Sequence, residues 1–102
     1  MDDDKSAWTA LRLDPTDNVA TALRDLAAGA VPRISGCDAP VLRGAIARGH
    51  KFALSPIRAG EPAVKYGQAI GVALGDIAPG EHVHLHNLEG LAGRSERHGG
   101  AS

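Results

Sequence analysis

A four-residue signature returns four times along this chain: an aliphatic residue, two small or polar residues, then glycine. It reads Leu26-Ala27-Ala28-Gly29, Ile46-Ala47-Arg48-Gly49, Ile57-Arg58-Ala59-Gly60 and Ile77-Ala78-Pro79-Gly80. Gly29 stands as far from Gly60 as Gly49 does from Gly80, so a pair of turns is used twice in the same order. Each copy suits the end of a buried strand followed by a turn whose glycine takes a positive φ without Cβ strain. A chain punctuated this often builds short strands rather than long helices. Two related halves packed about a pseudo-twofold axis would produce the spacing; chance matching in a Gly- and Ala-rich sequence is the alternative.

The length, 102 residues, is that of one domain near the lower end of comfortable independent stability. Trp8, Phe52 and Tyr66 are its only aromatic residues, so the interior must be built from Val, Ile, Leu and Ala. Three aromatics are also too few for a set of base-stacking platforms. With 11 basic and 12 acidic side chains and a formal net charge of −1, nothing argues for nucleic acid or an anionic membrane as partner. Cys37 is the sole cysteine, which excludes an intramolecular disulfide and any self-contained iron–sulfur cluster. If the chemistry needs a cluster, another chain must supply it. No segment approaches the roughly 18 to 20 apolar residues of a membrane span. The acidic start, Met1-Asp2-Asp3-Asp4-Lys5, leads into no apolar stretch of a secretory signal, and the expected location is the cytoplasm.

Residues 1–6 and 93–102 lack an apolar period and read as disordered, solvated tails around a folded domain at 7–92. Within that domain Trp8-Thr9-Ala10-Leu11-Arg12-Leu13 reads as a first strand and His50-Lys51-Phe52-Ala53-Leu54 as another. Ala63-Val64-Lys65-Tyr66 leads into a turn at Gly67, with Tyr66 expected in the core. Ile70-Gly71-Val72-Ala73-Leu74 follows as a buried strand. One stretch resists: Asp17-Asn18 offers an N-cap, Val19, Leu23 and Leu26 fall at helical spacing, and Gly29 suits a C-terminal stop. Local physics predicts a short helix there.

Three of the five histidines, His82, His84 and His86, alternate with Val83 and Leu85. On a strand the imidazoles would share one face and the aliphatics the other. Imidazoles at that spacing can share a metal ion, hold a substrate carboxylate or hydroxyl, or exchange protons. A solvent-facing strand carrying polar residues is the plainer reading. His50 and Lys51 follow the second glycine turn, where two cationic or hydrogen-bonding groups can meet an acidic substrate; the plainer reading is an exposed turn anchored by Phe52. Asp38 and Glu61 fall at turns and read as solvated. No phosphate loop, nucleophile elbow or pair of zinc-binding cysteines is present in the sequence.

Taken in order, Asp17-Asn18-Val19-Ala20, Gly49-His50-Lys51-Phe52-Ala53-Leu54, Ile57-Arg58-Ala59-Gly60-Glu61, Val64-Lys65-Tyr66-Gly67, Ile70-Gly71 and Gly80-Glu81-His82-Val83-His84-Leu85-His86-Asn87 resemble the N-terminal SAF domain of the altronate/galactarate dehydratase family. Each motif alone is weak and the ordered set, spanning about residues 8–88, is specific. The resemblance implies an all-β fold, a small β-clip of short strands and Gly turns, and it replaces the helix at 18–26 with a strand. It also implies a lyase, a hydro-lyase acting on a sugar acid or other hydroxy-acid together with a large dehydratase subunit. Similar small subunits occur in sulfolactate sulfo-lyases, with sulfite as leaving group. On this reading His50, Lys51 and His86 are the catalytic candidates. His82, His84 and His86 are the candidate ligands of a divalent metal, Fe2+ or Mn2+. Residues 31–44 match no pattern of that family, so the identity of the acid does not carry over.

Two rival readings remain beside it. SAF-like domains also serve as non-catalytic carbohydrate- or partner-binding modules, and a His-rich strand can belong to a free-standing metal-binding protein. A small domain with exposed strand edges has reason to bury one against another chain, a large subunit or a second copy of itself in a homo-oligomer.

Overall fold

A computed structural model describes residues 8–90, and no helix occurs among them. Seven short strands follow one another: β1 (Ala10–Leu11), β2 (Val19–Ala22), β3 (Lys51–Ala53), β4 (Pro62–Lys65), β5 (Gln68–Ala73), β6 (His82–Val83) and β7 (Leu88–Gly90). They form two antiparallel sheets, in the orders β1-β2-β3-β6 and β4-β5-β7. The all-β expectation holds. No helix of the described residues is long and apolar enough to cross a membrane.

Strand β2 explains the layering. Three of its four residues, Val19, Ala20 and Ala22, are buried, so both of its faces are covered. Alternation sends Ala20 and Ala22 into one cluster with Leu26, Ile46 and Phe52. Val19 points the other way, into a second cluster with Ala53, Ile57 and Val83. Small side chains on a strand covered from both sides let the neighbouring layers approach closely. That burial also overturns the helix expected from Asp17 to Leu26. Asp17 does not cap a helix; its Oδ1 accepts a hydrogen bond from the Gly67 N–H at 2.8 Å. Asn18 clamps β4 instead, accepting from the Val64 N–H at 2.7 Å and donating to the Pro62 carbonyl at 3.0 Å. Long-range pairing uses the capping groups, and tertiary burial outweighs local propensity.

The duplicated turns are visible as duplicated geometry. Leu26 bridges Ile46, and Ile57 bridges Ile77, both antiparallel. The Gly29 N–H donates to the Leu42 carbonyl and the Gly60 N–H to that of Ala73, both at 2.8 Å. Gly49 and Gly80 likewise donate to Ala22 and Ala53, both at 2.8 Å. Leu26, Leu42, Ile46 and Phe52 of the first cluster occupy the same relative places as Ile57, Ala73, Ile77 and Val83 of the second. All four glycines lie at φ of 84° to 86°, the left-handed region that the turn requires. Each half therefore supplies one hydrophobic cluster, and the strands between them join the two.

Three further expectations need correction. The strand expected over His82–His86 stops at Val83, because Asn87 folds the chain back. Asn87 Oδ1 accepts from the His84 N–H at 2.9 Å, its Nδ2 donates to the His82 carbonyl at 2.7 Å, and its own N–H donates to the His84 carbonyl at 3.0 Å. Leu85 consequently does not join Val83 in the interior and is 78% exposed. Tyr66, expected in the core, is 56% exposed at the tip of the β4–β5 hairpin. The proposed tails at 1–6 and 93–102 lie outside the described residues.

Candidate functional site

Two separate segments bring the histidines together. His50 sits at the exit of the second glycine turn, its N–H donating to the Ala47 carbonyl and its own carbonyl accepting from Ala22. It leads directly into β3, which pairs with β6 so that Phe52 stands opposite His82 and Lys51 opposite Val83. Residues opposite one another in an antiparallel pair share a face. His82 thus lies on the side of the first cluster, with Phe52, while Lys51 lies on the other. His84 follows β6 in the turn that Asn87 closes.

The rings of His50, His82 and His84 stack. Their centroids are 4.6 Å apart for His50–His84, 5.1 Å for His50–His82 and 5.2 Å for His82–His84, with interplanar angles of 13°, 17° and 10°. His50 Nδ1 and His82 Nε2 lie 2.9 Å apart. One nitrogen from each of the three rings falls within 4.8 Å of the others. His86 lies beside His82, at 5.4 Å between centroids and tilted by 36°, and stands outside that trio. The imidazoles that converge closely enough to hold an ion together are those of His50, His82 and His84; of the expected set His82, His84 and His86, the first two belong to this trio and His86 stands beside it.

Electrostatics favour the neutral, ligating form of His82. Burial holds the His82 pKa below the usual imidazole value, and the neighbouring charges of His50, His84, His86 and Lys51 push the same way. A neutral imidazole offers a lone pair, whereas an imidazolium does not. Lys51 is pressed toward its neutral form as well, first by burial and then by Lys65. It stands next to the trio without belonging to it.

Nitrogen–metal bonds of about 2.0 to 2.1 Å in tetrahedral geometry require nitrogens roughly 3.3 Å apart. The His50–His82 separation is already close to that, and a nitrogen of His84 lies within 4.8 Å of both. Three imidazoles with no carboxylate among them suit Fe2+ better than Mn2+, which favours oxygen donors. Asn87 is the residue whose part was not foreseen: it ties the His82 carbonyl to the His84 N–H and so ends β6 at Val83. Its signal in the sequence was only that Asn is a frequent turn residue.

The chain matches the family described as the altronate/galactarate dehydratase SAF domain over residues 8–91. It is 49% identical over 77 residues to an altronate dehydratase of Escherichia coli (strain K12), an alignment covering 76% of this chain and 15% of that one. An altronate dehydratase of Bacillus subtilis (strain 168) is 43% identical over 79 residues, covering 78% and 16%. The (2R)-sulfolactate sulfo-lyase subunit alpha of Paracoccus pantotrophus is 49% identical over 41 residues, covering 40% of this chain and 61% of that one. The chain thus spans only about one-sixth of the length of either dehydratase.

Proposed function

This chain belongs to the altronate/galactarate dehydratase SAF-domain family, and from that premise we propose that it is the small subunit of a hydro-lyase that removes water from a sugar acid together with a larger chain. The observation that carries the proposal is the convergence of three imidazole nitrogens within 4.8 Å from two separate segments. Relatives named as dehydratases are far longer than this chain, which makes the larger partner the natural source of the remaining groups.

Elimination of water from a hydroxy-acid takes a proton from the carbon next to the carboxylate and releases the β-hydroxyl. The electron pair of the broken C–H bond becomes the new double bond as the hydroxyl leaves with a proton. His50, His82 and His84 would hold a divalent ion, Fe2+ ahead of Mn2+, which supplies Lewis-acid polarisation of carboxylate and hydroxyl oxygens. His86, beside the trio and outside it, would deliver the proton to the departing hydroxyl. Lys51 follows His50 on the opposite face of β3, and its charge, which bears on His82, would help to neutralise an acidic substrate. The base that removes the α-proton belongs to the larger chain.

A second reading has its own support. The likeness to a sulfo-lyase subunit alpha covers 61% of that short relative. With sulfite in place of water as the leaving group, the carboxylate-anchored elimination is otherwise the same. Co-expression with a large dehydratase-type chain, followed by assays on altronate, galactarate and sulfolactate with and without Fe2+ or Mn2+, separates the two. Turnover only with both chains present, lost on His50→Ala, is the expected result. A stable complex whose turnover is unaffected by His50→Ala and His84→Ala would make this chain a non-catalytic binding module.

A further inference from the structure

We propose that the cavity between Trp8 and the segment 31–39 binds a free α-amino acid with an apolar side chain. None of the three converging histidines lines this cavity, and the proposal is independent of the hydro-lyase reading.

The cavity measures about 460 Å³, a size usual for small-molecule sites. Its lining is of two kinds. Trp8, Pro32, Ile34 and Ala39 supply apolar surface, and Ile34 and Ala39 also pack in the first hydrophobic cluster, so this surface continues the core outward. Arg33 and Asp38, both exposed, bring opposite charges to the same cavity.

The backbone that carries these groups is tied down on both sides. The Arg33 N–H donates to Thr9 Oγ1 at 2.9 Å, and the Arg33 carbonyl accepts from the Thr9 N–H at 2.9 Å, which fixes Arg33 beside Trp8. Ile34 bridges Ala10 in parallel and Cys37 antiparallel, so Ser35 and Gly36 form a tight turn, with Gly36 at a φ of 86°. The Arg12 guanidinium clamps that turn by donating to the Gly36 carbonyl at 3.2 Å. Asp38 follows directly on the clamped turn. A cavity on fixed backbone can discriminate between ligands.

The charges decide the class of ligand. Asp38 makes no hydrogen bond or ion pair with any described residue, so Arg33 and Asp38 do not satisfy one another. A bare anion would be drawn to Arg33 and repelled by Asp38, and a bare cation would meet the reverse. A zwitterion escapes both repulsions, with its carboxylate on the guanidinium and its ammonium on the carboxylate. A free α-amino acid carries both charges on one carbon, which leaves its side chain to the apolar lining, where burial favours binding. Asp38 also works against a sugar acid here, which keeps this site apart from the proposed substrate.

Trp8 is the sole tryptophan of the chain, so its fluorescence reports on the cavity without a label. Titration of the full chain with l-leucine should change that fluorescence saturably and shift amides within 33–39 by NMR. Leucinamide lacks the carboxylate and 4-methylpentanoate lacks the ammonium; each should bind about tenfold more weakly, the loss expected for one charge-assisted contact. Arg33→Gln and Asp38→Asn should each weaken l-leucine by a similar factor. Both positions are exposed, so the thermal midpoint of each variant should stay near that of the parent. Glucose, an uncharged polyol of similar size, should leave the fluorescence in place. No response to millimolar l-leucine would overturn the proposal. So would l-leucine binding that survives both substitutions, shifts confined to residues outside 8 and 31–39, or glucose binding as tightly as l-leucine. None of these outcomes bears on turnover with a larger chain, so the hydro-lyase reading stands or falls separately.

Discussion

His50 Nδ1 lies 2.9 Å from His82 Nε2, across 32 positions of sequence, and only one proton can occupy that line. One ring donates and the other accepts, so the contact holds when at least one of the two is neutral. Both rings belong to the trio whose nitrogens converge within 4.8 Å. An ion held there would displace the shared proton, which a neutral pair of rings accommodates by moving it to a ring's other nitrogen.

Metal affinity should accordingly depend on His50, His82 and His84, and little on His86. Calorimetric titration of the chain with Fe2+ under anaerobic conditions, or with Zn2+ as a redox-inert probe, measures this directly. His50→Ala or His84→Ala should cost more than the roughly 10- to 100-fold that follows loss of an outer-shell partner. His86→Ala should stay within a few-fold of the parent. A loss at His86 as large as that at His50 would restore the alternate-residue set His82, His84 and His86.

Stability should fall as the solution is acidified through the imidazole range. The His82 pKa is depressed in the folded chain, chiefly by burial and then by its charged neighbours. Between that lowered value and the ordinary value of 6.5, the unfolded chain binds a proton that the folded chain does not. Stability therefore rises with pH across this window, is fully present above it, and is lost as pH falls. Urea midpoints measured from pH 5 to 7.5 should show the slope, and His82→Gln should flatten it. An unchanged slope in His82→Gln would assign the effect to other groups.

The sequence showed the repeated turns clearly because glycine at a positive φ is a local requirement, and locally fixed features are legible without a fold. Leu26–Ile46 and Ile57–Ile77 are the physical form of that repeat. The segment from Asp17 to Leu26 misled for the opposite reason. Its helical spacing is real, and its fate was decided by Gly67, Val64 and Pro62, far away in sequence. His82, His84 and His86 were recognisable as a group, but the period-2 reading assumed a strand that Asn87 ends early. That His50 would complete the trio depended on the β3–β6 register, which no single segment encodes.

The four signature glycines should tolerate alanine unequally. All share a φ near 85°, where a Cβ costs about 1 to 2 kcal/mol. At Gly29, Gly49 and Gly60 nothing lies within 4 Å of an added Cβ, so that strain is the whole effect. At Gly80 the Cβ would overlap the Val41 carbonyl oxygen, and backbone must move. Denaturant midpoints should place Gly49→Ala and Gly60→Ala together and Gly80→Ala well below them. Equal losses at all four positions would mean that the loop at Val41 yields freely.

Asn87 offers a way to disturb the candidate site without touching a ligand. Its side chain holds the His84 N–H and the His82 carbonyl at once, the two ends of the bend that places both imidazoles. Asn87→Ala removes both contacts and leaves the rings of His50, His82 and His84 chemically intact. The expected stability loss is about 1 to 2 kcal/mol, in line with two partly exposed hydrogen bonds. Metal affinity should fall by about 10- to 100-fold, the usual effect of releasing a ligand from its outer support. Asn87→Asp separates the two contacts, because a carboxylate can still accept from His84 and can no longer donate to His82. An intermediate affinity in Asn87→Asp would show that the His84 arm of the turn is held by acceptance alone. If Asn87→Ala lowers stability yet binds metal like the parent, the trio forms without the turn and Asn87 serves the fold only.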